Sequence, residues 1–130
     1  MNKEEKINYW VELADYDFDT ALWMMQGSRY LYVGFMLHQV VEKMLKAYWS
    51  KVLEEPPLKI HTLTVLASRT GLLEEMSEEQ QDLLTRLLPL NIEARYPRYK
   101  ERIMQSLTSE YCSDLIQETS NLVRWIKQKL

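Results

Sequence analysis

The chain has 130 residues, 46% of them hydrophobic, with a net charge of −3 and a pI near 5.4. That is the length of one ordinary domain with enough apolar content for a packed core, so one domain over residues 1–130 is expected. The acidic balance excludes a broad basic nucleic-acid surface and leaves room only for a local basic site.

A lone cysteine, Cys112, excludes an intrachain disulfide and a cysteine-based zinc cluster, and a reducing cytoplasm is the simplest setting. Residues 1–6 lead into an amphipathic pattern rather than a signal-peptide core. The longest apolar run, Tyr30 to Leu37, is too short to span a bilayer. Only three glycines and four prolines punctuate the chain, so a few long elements are expected rather than many short strands.

Residues 3–26 read as a helix, with Ile7, Trp10, Ala14, Phe18, Ala21 and Met25 on one stripe. Gly27 and Ser28 end it in a tight turn. A second helix runs from Tyr30 to about Leu53, with Val33, Met36, Leu37, Val40, Met44, Ala47 and Tyr48 inward, and stops at Glu54-Glu55-Pro56-Pro57. His61 to Thr70 reads as a short helix capped by Gly71. Ser77-Glu78-Glu79-Gln80 is a capping box that opens a helix to about Leu88. Pro89 is expected to kink or interrupt it before helical structure resumes to Ala94. The stretch 98–107 has no decisive pattern. Thr108 or Ser109 caps a last helix to about Lys129, with Leu115, Thr119, Leu122 and Ile126 on one face. Short connections between long amphipathic helices predict an all-α, up-and-down bundle of four to five helices.

Two polar clusters stand out. Gln39, Glu42, Lys43 and Lys46 recur at offsets of three, four and seven, forming one patch on the second helix. The spacing first suggests a solvated face with a Glu42–Lys46 pair, and it also fits a contact surface for a partner or a phosphate. The second cluster is Arg95-Tyr96-Pro97-Arg98-Tyr99-Lys100, with Arg102 beyond. Residues 93–102 hold four bases against two acids. Aromatics interleaved with arginines suit phosphate pairing and base stacking, and also suit a helix-end loop.

His38 and Glu42 are one turn apart, but the paired Glu-x-x-His motifs of a bundle di-metal site are absent, so no metal is expected. His61 is the natural near-neutral proton carrier of its region. There is no glycine-rich phosphate loop and no Gly-x-Ser-x-Gly elbow, and no cofactor is expected.

Taken in order, Trp10-x3-Ala14-x2-Asp17-Phe18-x2-Ala21, Gly27-x2-Tyr30, Gln39-x2-Glu42-Lys43-x2-Lys46-Ala47, His61-x-Leu63 and Ala94-Arg95-Tyr96-Pro97 resemble the HEPN domain (higher eukaryotes and prokaryotes nucleotide-binding) over nearly the whole chain. The resemblance implies a helical bundle, commonly a symmetric homodimer, of the small prokaryotic type encoded beside a minimal nucleotidyltransferase as a toxin–antitoxin-like pair. It maps Asp17, Gln39, Glu42, Lys43 and Lys46 to recurring polar positions of the family, and Arg95 and Tyr96 to its Arg-Tyr-Pro segment; these, with His61, are read as ligand- or partner-binding.

Many HEPN proteins are metal-independent ribonucleases in which an arginine is followed, after four to six residues, by a histidine. Here those places after Arg95 hold Lys100, Glu101 and Arg102, and after Arg98 they hold Ile103, Met104 and Gln105. The expectation is therefore a non-enzymatic module that binds a nucleotide, an RNA or a nucleotidyltransferase partner, with no catalytic residue. The alternatives are an endoribonuclease toxin pairing Arg95 with an atypical base, His61 or Glu42, a purely structural dimer, and modification of Tyr96 or Tyr99 by a partner nucleotidyltransferase.

Overall fold

The computed structural model describes residues 1–92 and 97–130. All regular structure in them is helical: α1 (Lys3–Gln26), α2 (Tyr30–Val52), α3 (Leu63–Arg69), a 3-10 turn (Leu72–Glu75), α4 (Glu78–Ile92), α5 (Pro97–Ser106) and α6 (Ser109–Lys127). The helix count is six among the described residues, not the four to five expected. The addition is α5, in the stretch whose sequence pattern was undecided. Pro89 does not interrupt α4, which runs on to Ile92.

Local chemistry sets the ends. Asn2 and Glu5 form a reciprocal capping box at the start of α1. Ser77 and Gln80 do the same before α4, at 2.9 and 3.1 Å. Thr108 caps α6 by accepting from the Tyr111 N–H. At the end of α1 the Arg29 N–H bonds to the Met24 carbonyl and the Ser28 N–H to that of Met25, a Schellman arrangement. Its left-handed residue is Ser28 (φ 58°), while Gly27 stays at negative φ. Past α3, Gly71 (φ 80°) takes the left-handed position, as the sequence suggests.

The four long helices alternate in direction. A tight turn joins α1 to α2, and Asp17 of α1 faces Lys43 of α2. Helices α2 and α6 run parallel: Cys112 lies under the Tyr30 carbonyl at their starts, and Lys51 reaches the carbonyls of Lys129 and Leu130 at their ends. Helix α4 is antiparallel to both. Its Leu90 meets Gly34 near the start of α2, and its Arg86 holds Glu118 of α6 through two N–H···O bonds of 3.1 and 2.8 Å.

Helix α2 is the axis of the molecule. It packs against α1, α3, α4, α5 and α6, and Val33, Leu37, Val40, Val41, Met44, Leu45 and Trp49 are all at most 1% exposed. A helix buried on most sides carries apolar residues around most of its circumference. Gly34 permits its closest approach to α4, because a Cβ there would lie 2.8 Å from the Leu90 Cδ1. Among the described residues no helix is long and apolar enough to cross a membrane.

Candidate functional site

The polar residues of α2 do not form a solvated stripe. Glu42 is 4% exposed and Lys46 8%. Glu42 Oε2 accepts from Lys46 Nζ at 3.1 Å, one turn along the helix. Glu42 Oε1 accepts from His61 Nδ1 at 2.8 Å, which brings in the segment leading into α3. Trp10 of α1 covers Lys46, whose ammonium lies 5.4 Å from the ring centroid. The pair predicted from i, i+4 spacing thus exists, but α1 and the His61 segment bury it. In such a setting, losing one partner costs far more than the exposed pair contributes.

His38 completes the cluster. Its Nε2 lies 3.0 Å from the His61 carbonyl, which can only accept, so Nε2 carries the proton. That leaves Nδ1 as a buried acceptor with no partner among the described residues, 3.9 Å from Glu42 Oε1. Burial pushes the His38 pKa down to about 4, against the opposing pull of Glu42, so the ring is neutral at pH 7. By the same reasoning, His61 donates a hydrogen bond from its Nδ1–H to the carboxylate. Its ring is half exposed, so the far edge of the imidazole, with Nε2, is open to solvent or a ligand.

Two further pairs flank this cluster. Lys43 donates to Asp17 of α1. Gln39 donates through Nε2 to Asn91 Oδ1 at 2.9 Å, tying α2 to the last turn of α4. Asn91 Nδ2 is buried without a partner among the described residues.

Six of the eight residues singled out from sequence therefore appear in one region. Glu42, Lys46 and His61 bond directly, Asp17 and Lys43 pair beside them, and Gln39 stands one turn earlier on α2. Arg95 and Tyr96 lie outside the described residues. After them, Lys100 and Arg102 are exposed on α5.

Sequence reasoning missed three members. Asn91 and Trp10 carry no local mark of their role. His38 did show its i, i+4 relation to Glu42, but as half of a metal pair. No group of three or more histidine, cysteine, aspartate or glutamate residues that could hold a metal occurs among the described residues. Cys112 is buried, and burial raises its thiol pKa to about 11, which keeps it a protonated packing residue.

A family model described as HEPN domain matches residues 7–129. No curated protein and no solved structure matches.

Two outcomes follow from the burial. Glu42→Ala strands the Lys46 ammonium, so urea denaturation should show a loss of roughly 3–5 kcal/mol, most of it recovered in Glu42→Ala/Lys46→Met. The second concerns acid. Between the unfolded histidine value of 6.5 and about 4, the unfolded chain takes up a proton at His38 that the native chain refuses. Stability from this group is therefore complete above pH 6.5 and falls as pH drops through that window, by on the order of 3 kcal/mol. Melting curves of His38→Gln should lack that part of the acid limb.

Proposed function

The chain belongs to the HEPN domain family, and on that premise we propose that residues 1–130 form one non-enzymatic, homodimeric, cytoplasmic module. It binds a nucleotide, or a minimal nucleotidyltransferase with which it forms a toxin–antitoxin-like pair. The observation that supports binding over catalysis is the absence of a histidine at the ribonuclease spacing after Arg95; the charge balance on α2 bears on where binding falls. Lys43 and Lys46, the two bases able to hold a phosphate there, are already held by Asp17 and Glu42. Taking either from its carboxylate leaves a buried acid unpaired, which opposes anion capture at that spot.

Contact with a nucleotide or partner then falls to Arg95 and Tyr96, in the locally basic stretch 93–102. Gln39, through Asn91, braces the end of α4 from which that stretch departs. No histidine follows Arg95 at the ribonuclease spacing.

One observation favours the ribonuclease reading as a second possibility. His61 has its Nδ1–H fixed by a buried carboxylate and its ring half exposed, the arrangement of an oriented general base. In that reading Nε2 takes the ribose 2′-OH proton while Arg95 stabilises the charge on the phosphorane.

Calorimetry with ATP and with the co-encoded nucleotidyltransferase should give binding in at least one case, weakened roughly tenfold or more by Arg95→Ala, with a dimer in sedimentation. A monomer that binds neither would refute the module. The ribonuclease reading requires RNA cleavage in EDTA that disappears in both His61→Ala and Arg95→Ala; a folded protein that leaves RNA intact removes it.

A further inference from the structure

The outward face of α1 carries a pattern that stays open to solvent among the described residues. Tyr9, Glu12, Tyr16, Asp19 and Trp23 recur at alternating steps of three and four, so they stand in one row along about 21 Å of helix. The rings are open to solvent: Tyr16 is 73% exposed, Trp23 66% and Tyr9 46%. Single exposed aromatics need no explanation, but three in one heptad row form a contact surface.

The acids between them are bare. Glu12 and Asp19 are exposed and make no ion pair among the described residues, whereas Asp15 and Asp17 are taken by Lys127 and Lys43. No lysine or arginine stands within one turn of Glu12 or Asp19 on α1.

This charge selects the occupant. An RNA backbone would be repelled. A second copy of α1 laid antiparallel about Tyr16 would bring Glu12 close to the other copy's Asp19, like against like. An arginine suits both parts of the row, because its flat guanidinium stacks on a tyrosine or tryptophan ring and pairs with a carboxylate.

We propose that this face of α1 is the docking surface for a partner helix that presents arginines or lysines at three- and four-residue spacing. The surface rests on α1 alone and is independent of the nucleotide and nucleotidyltransferase reading above. It also reaches the buried cluster. Tyr9 packs edge-on against Trp10 at 5.1 Å, and Trp10 is the ring that covers Lys46.

The test is fluorescence anisotropy with a labelled synthetic helical peptide of about four turns bearing arginine in a heptad row, titrated with the whole protein at low salt. Binding is expected, weakening as salt rises. It should fall roughly tenfold in Glu12→Lys/Asp19→Lys and in Tyr16→Ala, and be absent when glutamate replaces arginine in the peptide. All these positions are on the surface, so the variants should melt like the wild type. No binding of the arginine peptide, or equal binding by wild type and charge-reversed protein, overturns the proposal. It is also overturned if single-stranded RNA binds and is lost in the same variants, or if sedimentation shows a self-associated species that Tyr16→Ala disperses. A dimer that survives Tyr16→Ala uses another face and agrees with it.

Discussion

A buried carboxylate at the centre of α2 constrains this molecule more than any other single group. Glu42 is nearly inaccessible to water and must find its partners inside the protein. One comes from its own helix, Lys46, and the other from the segment before α3, His61. Trp10 then closes over Lys46 from α1, and the His61 backbone carbonyl accepts a hydrogen bond from the His38 Nε2–H. Three separate parts of the chain are thus held in register by one acid. An ion pair of this kind adds little net stability against a hydrophobic replacement, but it penalises strongly any arrangement in which one partner is missing.

Around that point the bundle is organised by α2, which nearly every other helix touches. The antiparallel α4 comes close because position 34 has no side chain, and the same crossing carries the Gln39–Asn91 bond. At the far side, Arg86 joins α4 to α6 through a two-pronged bond to Glu118. Polar contacts therefore sit at several seams between apolar surfaces, where they fix rotation and sliding that hydrophobic contact alone leaves free.

The distribution of charge separates two surfaces among the described residues and one stretch of the sequence. The α2 patch is internally neutral, its lysines matched by acids. The stretch 93–102 is locally basic. The outward row of α1 is acidic between exposed aromatic rings. In an acidic chain of this size, such segregation favours two different contacts over one extended face. The half-exposed ring of His61 lies on the α2 patch, joined to the α1 row through Trp10 and Tyr9.

The family and the long helices were legible in the sequence, because both depend on local order. Hydrophobic periodicity located α1, α2 and α6, and capping residues such as Ser77 and Thr108 marked starts to within a residue or two. Helix α5 was undecided because its pattern is short and strongly polar, and α4 passes Pro89 because a proline removes one hydrogen bond without deciding what neighbouring helices enforce. The spacing of Gln39, Glu42, Lys43 and Lys46 was visible, but whether that face met water or protein was not. Burial is a property of what packs on top, and the covering groups, Trp10, Asp17, His61 and Asn91, lie nineteen to fifty-two residues along the chain from the α2 residues they meet. Sequence alone determined which residues could pair. The tertiary structure decided that they do so out of water, since only folding brings distant groups close enough to replace the solvent that each one loses.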